Sequence, residues 1–282
     1  MSVASMLRTF GRAKAIPLYF ALGLGCSKAS QKAPSPMSDL PPPAAPSSPK
    51  PLVASSIVGC PSTGPCRILA LGDSITYGAG GSGGGYRVPL FRKARERNRE
   101  VTFVGRVNTG PPTVDGVAFP SGHEGYPGYT ISACGGRNGI APLVASAMVS
   151  AHPDVVLLMI GTNDVDAGCD LPSMPGRLGA LVDSIFEASP DTFVVVANLV
   201  PSQNEAFDAR ALAYGHAIPG LVSARARASN GRRRTAFVDM TSAFRKVPEF
   251  RTKLLADMLH PNDAGYAVMA DVWATALFSK VD

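Results

Sequence analysis

The sequence predicts a three-layer α/β/α sandwich around a five-stranded parallel sheet. Short apolar runs at residues 68–71, 154–160 and 193–197 each end abruptly at a glycine or asparagine. Runs of this kind suit inner strands buried on both faces. Segments with helical spacing lie between them, so strand and helix alternate along the chain. No internal repeat breaks that alternation.

The first strand, 68–71, runs into Gly72-Asp-Ser74 and then a glycine-rich loop, Gly78-Ala-Gly-Gly-Ser-Gly-Gly-Gly85. Val88, Leu90, Phe91 and Ala94 mark a helix, and residues 101–104 the second strand. Residues 105–139, rich in Gly and Pro, are expected to be irregular, and a loop of that length in a compact domain is usually functional. An apolar helix over 140–150 leads to the third strand, 154–160. Leu178, Leu181, Val182, Ile185 and Phe186 repeat at helical spacing. Residues 193–197 form the fourth strand, 206–229 a helix broken at Pro219-Gly220, and 235–238 the fifth strand. The last helix follows Pro261, capped by Asn262 or Asp263, with Tyr266, Met269, Trp273 and Leu277 on its buried face.

Ahead of this domain, which is expected to span residues 59–282, residues 1–26 read as an export signal. Arg8, Arg12 and Lys14 precede an apolar run that is too short to span a bilayer and is interrupted by Pro17. The run ends at Leu24-Gly25-Cys26, which resembles a bacterial lipobox, although Gly23 stands where leucine is usual. Lipidation at Cys26 is the expectation and ordinary secretion the alternative. Lipidation would tether the chain to a membrane rather than embed it. Residues 27–58, mostly Pro, Ala, Ser and Lys, read as a linker.

Composition narrows the function. The chain has 282 residues, 45% hydrophobic and 17% charged, which suits a packed core. Three of its +6 formal charges lie in the leader, and the remaining +3 is too little to imply a nucleic-acid partner. The basic runs at 92–99 and 232–234 lack interleaved aromatics and read as solvated faces. Cys60 and Cys66 bracket a tight turn and suit a small disulfide loop outside the cytoplasm. Cys134 and Cys169 follow candidate site loops and could pair across the mouth of the site. No Cys-x-x-Cys or His-x-x-x-His spacing suggests zinc.

Ser74 follows the first strand, where parallel sheets place their chemistry. A serine hydroxyl needs a base within hydrogen-bond reach. His260 is the best of the chain's four histidines, because its loop could fold back over the strand ends. Asp257, three residues earlier, can hold the other ring nitrogen and stabilise the imidazolium. Asp73 and Asp164 are expected to organise their loops, His123-Glu124 to bind no metal, and His152 and His216 to be structural or superficial. Gly78-Ala-Gly-Gly-Ser-Gly83 fits a dinucleotide fingerprint formally, but five residues separate it from the strand end and it leaves Asp257 and His260 idle. P-loop and Gly-x-Ser-x-Gly motifs are absent.

Gly72-Asp-Ser74, Val155-Val-Leu-Leu-Met-Ile-Gly-Thr-Asn-Asp164 and Asp257-Met-Leu-His260, in that order, resemble the SGNH (GDSL-type) hydrolases. Within that group, Gly84-Gly-Tyr-Arg87, His123-Glu-Gly-Tyr-Pro-Gly128 and Leu259-His-Pro-Asn-Asp-Ala-Gly-Tyr266 are most similar to carbohydrate esterase family 3, the acetylxylan-esterase-like branch. The resemblance implies a flavodoxin-like sheet and an oxyanion hole made by the Ser74 N–H, a glycine N–H and the Asn163 side chain. Register favours Gly128 over Gly125 as that glycine. Tyr129 and Ser132 depart from the branch's more usual Trp and Asp. The implied enzyme is a monomeric carboxylic ester hydrolase that removes acetyl groups from a polysaccharide such as xylan and needs no metal or cofactor. The alternatives are a lysophospholipase or other lipid acyl hydrolase and a non-enzymatic sugar-binding surface lipoprotein.

Overall fold

A computed structural model describes residues 59–278, all within one compact unit spanning Pro51–Asp282. The expected export signal, Cys26 and the linker, residues 27–58, all lie outside the described residues. The sheet is built on β1 (Cys66–Gly72). On one side β1 pairs with β7 (Val155–Met159), which continues to β8 (Phe193–Ala197) and β9 (Thr235–Val238), all parallel. On the other side β2 (Val101–Val104) covers the first half of β1, and β6 (Gly122–Gly125) covers its last two residues. Strands β7 and β8 are buried along their whole length, which explains their uninterrupted apolar sequence.

The sheet therefore has seven strands rather than five. The two additions come from the 105–139 stretch expected to be irregular. There β6 extends the parallel sheet, and β3 (Val107–Asn108) pairs antiparallel with it. The same stretch forms a separate hairpin of β4 (Thr113–Val114) and β5 (Val117–Ala118). Its turn is Asp115-Gly116, both left-handed at φ 50 and 76. That is the geometry an Asp-Gly hairpin turn favours, so the signal was present in the sequence.

Nine α-helices are described. The short ones, α1 (Ser74–Tyr77), α4 (Thr162–Ala167), α7 (Met240–Arg245) and α8 (Phe250–Lys253), shape loops at the strand ends. Of the longer ones, α2 (Arg87–Glu96) packs on α9 (Asp263–Phe278), while α3 (Val144–Ala151) packs on α5 (Met174–Ala188) and α5 on α6 (Glu205–Ala228). Tyr86, Tyr266 and Trp273 fill the layer beneath α9, with the Tyr86 and Trp273 rings 5.7 Å apart. Asn262, rather than Asp263, caps α9, its Oδ1 accepting the Gly265 N–H at 3.0 Å.

The expected break at Pro219-Gly220 does not occur. Helix α6 runs through it as 24 residues. A proline inside a helix costs about 3 kcal/mol. Tyr214, Ile218 and Val222 are buried on either side of it, and burying three such side chains contributes more than that.

Cys60 is bonded to Cys66 and Cys134 to Cys169, with sequence separations of 6 and 35. The longer loop restricts the unfolded chain more. Replacing both cysteines of the 134–169 pair by serine is expected to cost about 4 kcal/mol of unfolding free energy, against about 2 kcal/mol for the 60–66 pair. Urea unfolding of the two double variants measures this, and the reverse ranking would contradict it.

Candidate active site

The site lies at the carboxyl edge of the sheet, where β1 and β7 end side by side, Gly72 opposite Met159. Glycine is required at 72 because a Cβ there would collide with the Met159 carbonyl oxygen. The chain turns at once into α1. Asp73 caps this single turn, its Oδ1 accepting the Ile75 N–H at 3.0 Å, and Gly78 ends it at φ 104. Ser74 is the first helical residue and is only 8% exposed. As the first residue of the helix, its N–H has no intrahelical acceptor.

His260 Nε2 is 2.9 Å from Ser74 Oγ. The other ring nitrogen, Nδ1, is 2.8 Å from Asp257 Oδ2 and 3.1 Å from Oδ1. With Nδ1–H donating to the Asp257 carboxylate, Nε2 is free to accept the serine proton. Asp257 Oδ1 also accepts the backbone N–H groups of Leu259 and His260, each at 2.8 Å. Partial burial pushes the Asp257 carboxyl up, but these N–H donors and the His260 ring outweigh it and hold it below the usual carboxylate range.

The loop that carries this pair is closed and fastened. The Ala256 N–H donates to the His260 carbonyl at 2.8 Å, and Leu255 bridges to Pro261. The Ser202 hydroxyl and Gln203 N–H both donate to the Met258 carbonyl. The glycine-rich loop packs beneath it, and a Cβ on Gly80 would lie 2.8 Å from His260 Cβ and 2.7 Å from the Pro261 carbonyl oxygen. The Ser82 N–H donates to Asp263 and the Tyr266 hydroxyl to the Ala79 carbonyl, which tie the loop to α9. These contacts account for the glycines without a dinucleotide.

Asn163 stands in the first turn of α4, just beyond β7. Its Nδ2 donates to the Tyr129 carbonyl at 2.9 Å, and its Oδ1 accepts from Arg137 Nη1 at 3.2 Å. Tyr126-Pro-Gly-Tyr129 forms a turn closed by the Tyr129 N–H on the Tyr126 carbonyl. Gly128 sits there at φ 80, the left-handed conformation such a turn requires after proline. No described residue accepts the Gly128 N–H, whereas the Gly125 N–H donates to His123 Nδ1 at 2.9 Å. The structure thus joins Ser74, His260 and Asp257 in one hydrogen-bonded line. Gly128 and Asn163 adjoin each other through Tyr129 and make no hydrogen bond to Ser74.

Among the residues that support the site, Thr109 and Arg177 carried no sequence signal, whereas Arg87, His123, Glu124 and Asp164 stand in recognisable motifs whose partners the sequence did not give. Thr109 Oγ1 lies 2.8 Å from His123 Nε2, accepts from Arg87 Nη2 at 2.9 Å, and donates to the Tyr77 carbonyl. This buried network ties β6 to α1. Burial, with Arg87 nearby, pushes His123 down to about 3, so its ring is neutral. Glu124 is fully buried and takes a bidentate pair with Arg106 and the Tyr126 hydroxyl at 2.5 Å. Asp164 accepts the Ile131 N–H at 3.0 Å and pairs with Arg177 at 2.8 Å. Among the described residues no cluster of three or more His, Cys, Asp or Glu side chains could hold a metal, and His152 and His216 are exposed.

Comparison with known proteins assigns the fold and the class. The GDSL-like Lipase/Acylhydrolase family matches residues 70–268. The chain belongs to this family. It is 28% identical over 226 residues to a multidomain esterase of Ruminococcus flavefaciens, a match covering 74% of this chain and 28% of that protein. The chain thus spans little more than a quarter of that relative's length. Among solved structures it is similar to a family 3 carbohydrate esterase of Clostridium thermocellum, with 29% identity, TM-score 0.62, and 75% of this chain and 94% of the other covered. A family 3 carbohydrate esterase from Talaromyces cellulolyticus gives 26% identity, TM-score 0.60, and coverage of 74% and 94%. The GDSL-like domain is a three-layer α/β sandwich of the carboxylic ester hydrolase class, close to carbohydrate esterase family 3.

Asp73, beside the serine, gives a pH prediction. Burial raises its carboxyl to about 6, against the pull of the Ile75 N–H, and its Oδ2 faces the Thr162 hydroxyl without full hydrogen-bond geometry. The native state holds this proton more tightly than the unfolded chain, so stability is lost as pH rises from about 4 through 6. Asp73→Asn keeps the acceptor for the Ile75 N–H and removes the charge. Its unfolding free energy relative to wild type is expected to rise by roughly 2 kcal/mol between pH 4 and pH 8. A difference that stays constant with pH would show that Asp73 is not the titrating group.

Proposed function

We propose that this domain removes acetyl or other short acyl groups from a polysaccharide such as xylan through an acyl-enzyme on Ser74. The observation that carries the reading is the hydrogen-bonded line from Asp257 through His260 to Ser74 Oγ. In this mechanism His260 Nε2 takes the Ser74 proton as Oγ attacks the acyl carbonyl. Asp257 keeps the ring oriented and stabilises the imidazolium without taking the proton. The negative charge that develops on the carbonyl oxygen meets the unused N–H groups of Ser74 and Gly128 and the second Nδ2–H of Asn163. His260 then protonates the departing sugar oxygen. A water deprotonated by His260 releases the acid and restores the serine.

The polysaccharide part of the reading draws on the likeness to the two family 3 carbohydrate esterases. Tyr126 and Tyr129 are half-buried with rings 5.1 Å apart, and the Tyr129 carbonyl accepts from Asn163, so this aromatic pair beside the candidate oxyanion donor offers flat apolar surface to a sugar ring. The same reading takes residues 1–26 as an export signal, Cys26 as a lipid anchor and residues 27–58 as a spacer ahead of a monomeric hydrolase domain. The two disulfides fit an extracytoplasmic site of action.

Acetate release from acetylated xylan, with lysophospholipid hydrolysis measured beside it, tests the reading. Wild type is expected to release acetate and spare the lipid. Ser74→Ala should lose activity by about 10,000-fold or more, and Asn163→Ala by roughly a hundredfold. Ser74-dependent cleavage of the lipid alone would replace the polysaccharide with a lipid substrate. Acetate release that survives Ser74→Ala would remove the acyl-enzyme.

A further inference from the structure

Arg137 lies in the loop between Tyr129 and α3, and neither the family resemblance nor the triad chemistry requires it. Its guanidinium reaches two side chains of α4 at once. Nη1 donates to Asn163 Oδ1 at 3.2 Å, and Nη2 pairs with Asp166 Oδ2 at 3.0 Å. Residues three apart share one helix face, so α4 presents these acceptors together to one planar fork. The loop backbone is held as well. Cys134 and Arg137 exchange two backbone hydrogen bonds, at 2.8 and 3.1 Å. Cys134 is disulfide-bonded to Cys169, two residues beyond the end of α4.

We infer that Arg137 is a positioning residue that fixes and polarises the Asn163 amide, an inference that rests on reading Asn163 as an oxyanion donor. An asparagine amide can be placed in two ways that differ by exchange of its oxygen and nitrogen. Here one face meets a cationic donor, Arg137, and the other an acceptor, the Tyr129 carbonyl. The reversed amide would set NH2 against the guanidinium and oxygen against the carbonyl. Both contacts therefore select the same orientation. In it, one Nδ2–H is spent on Tyr129 and the other is left for the substrate oxyanion. The positive charge on the Oδ1 side also draws electron density from the amide, which makes the remaining N–H a stronger donor. Asp166 balances the cation and keeps it on α4 rather than in the cleft.

The Arg137 side chain is about one-third exposed, so a direct contact with the leaving sugar is the rival role. Kinetics on 4-nitrophenyl acetate, which has no sugar, separate the two. Arg137→Ala should lower kcat roughly tenfold with KM changed less than about twofold, the scale of one coupled network contact. Arg137→Met, which keeps the side-chain stem and removes the donors, should do the same with an unchanged melting temperature. In the Asn163→Ala background, Arg137→Ala should add less than about a twofold further loss, because Arg137 acts through Asn163. Losses that multiply in the double variant, or an unchanged kcat in both Arg137 variants, would overturn the inference. So would a KM rise confined to acetylated xylan. If Asn163→Ala itself keeps full kcat, the oxyanion reading fails first, and that outcome is distinct from failure of Arg137 alone.

Discussion

The parallel pairing of β1 with β7 is the constraint on which the rest of the site depends. Residues 68–72 lie in register with 155–159 at the centre of the sheet. Parallel strands end on the same edge, so the turns that follow them must start side by side. Ser74 comes two residues after the end of β1, and Asn163 four after the end of β7. The apolar residues of both strands are fully buried, and slipping the register would unpack both faces of the sheet at once. The same burial that stabilises the core therefore fixes the spacing of the candidate serine and asparagine.

The remaining residues reach that edge from loops, which are less constrained. Each loop is tied down by polar contacts rather than by a hydrophobic face. The Asp257–His260 loop is closed on its own backbone, fastened through the Met258 carbonyl and supported by the glycine-rich loop. The loop before α3 is held to α4 by Ile131, Arg137 and a disulfide. The block from Gly122 to Tyr129 is held by His123 and Glu124, both buried, which face Thr109 and Arg106 respectively. Buried polar groups with their partners present give such loops a single arrangement, where a half-satisfied network would leave several.

The residues of the central line could be read in the sequence because their chemistry is local or rare. Four histidines leave few choices of base, and Asp257 stands three residues before the one best placed to fold back over the strand ends. The strands were legible because burial on both faces leaves uninterrupted apolar runs. What escaped reading has no period. Arg87 and His123 stand in recognisable motifs, but Thr109, 22 and 14 residues away from them, meets both only through the fold. Arg137 sits in a glycine-rich stretch with nothing to distinguish it from a solvated arginine. The short strands within 105–139 are too brief to alternate. The Asp115-Gly116 turn, by contrast, carried a readable signal. Helix α6 shows the opposite error, in which local propensity at Pro219 pointed to a break that tertiary packing overrides.

The most direct measurement of the central claim, that Ser74 is a nucleophile activated by His260, is covalent labelling. The protein would be treated with a fluorophosphonate and analysed by intact mass and peptide mapping. The account predicts one adduct per chain, on the peptide that contains Ser74, with labelling slowed by orders of magnitude in His260→Ala. A folded protein that takes up no label, or takes it at another residue at an undiminished rate when Ser74 is replaced, would contradict it.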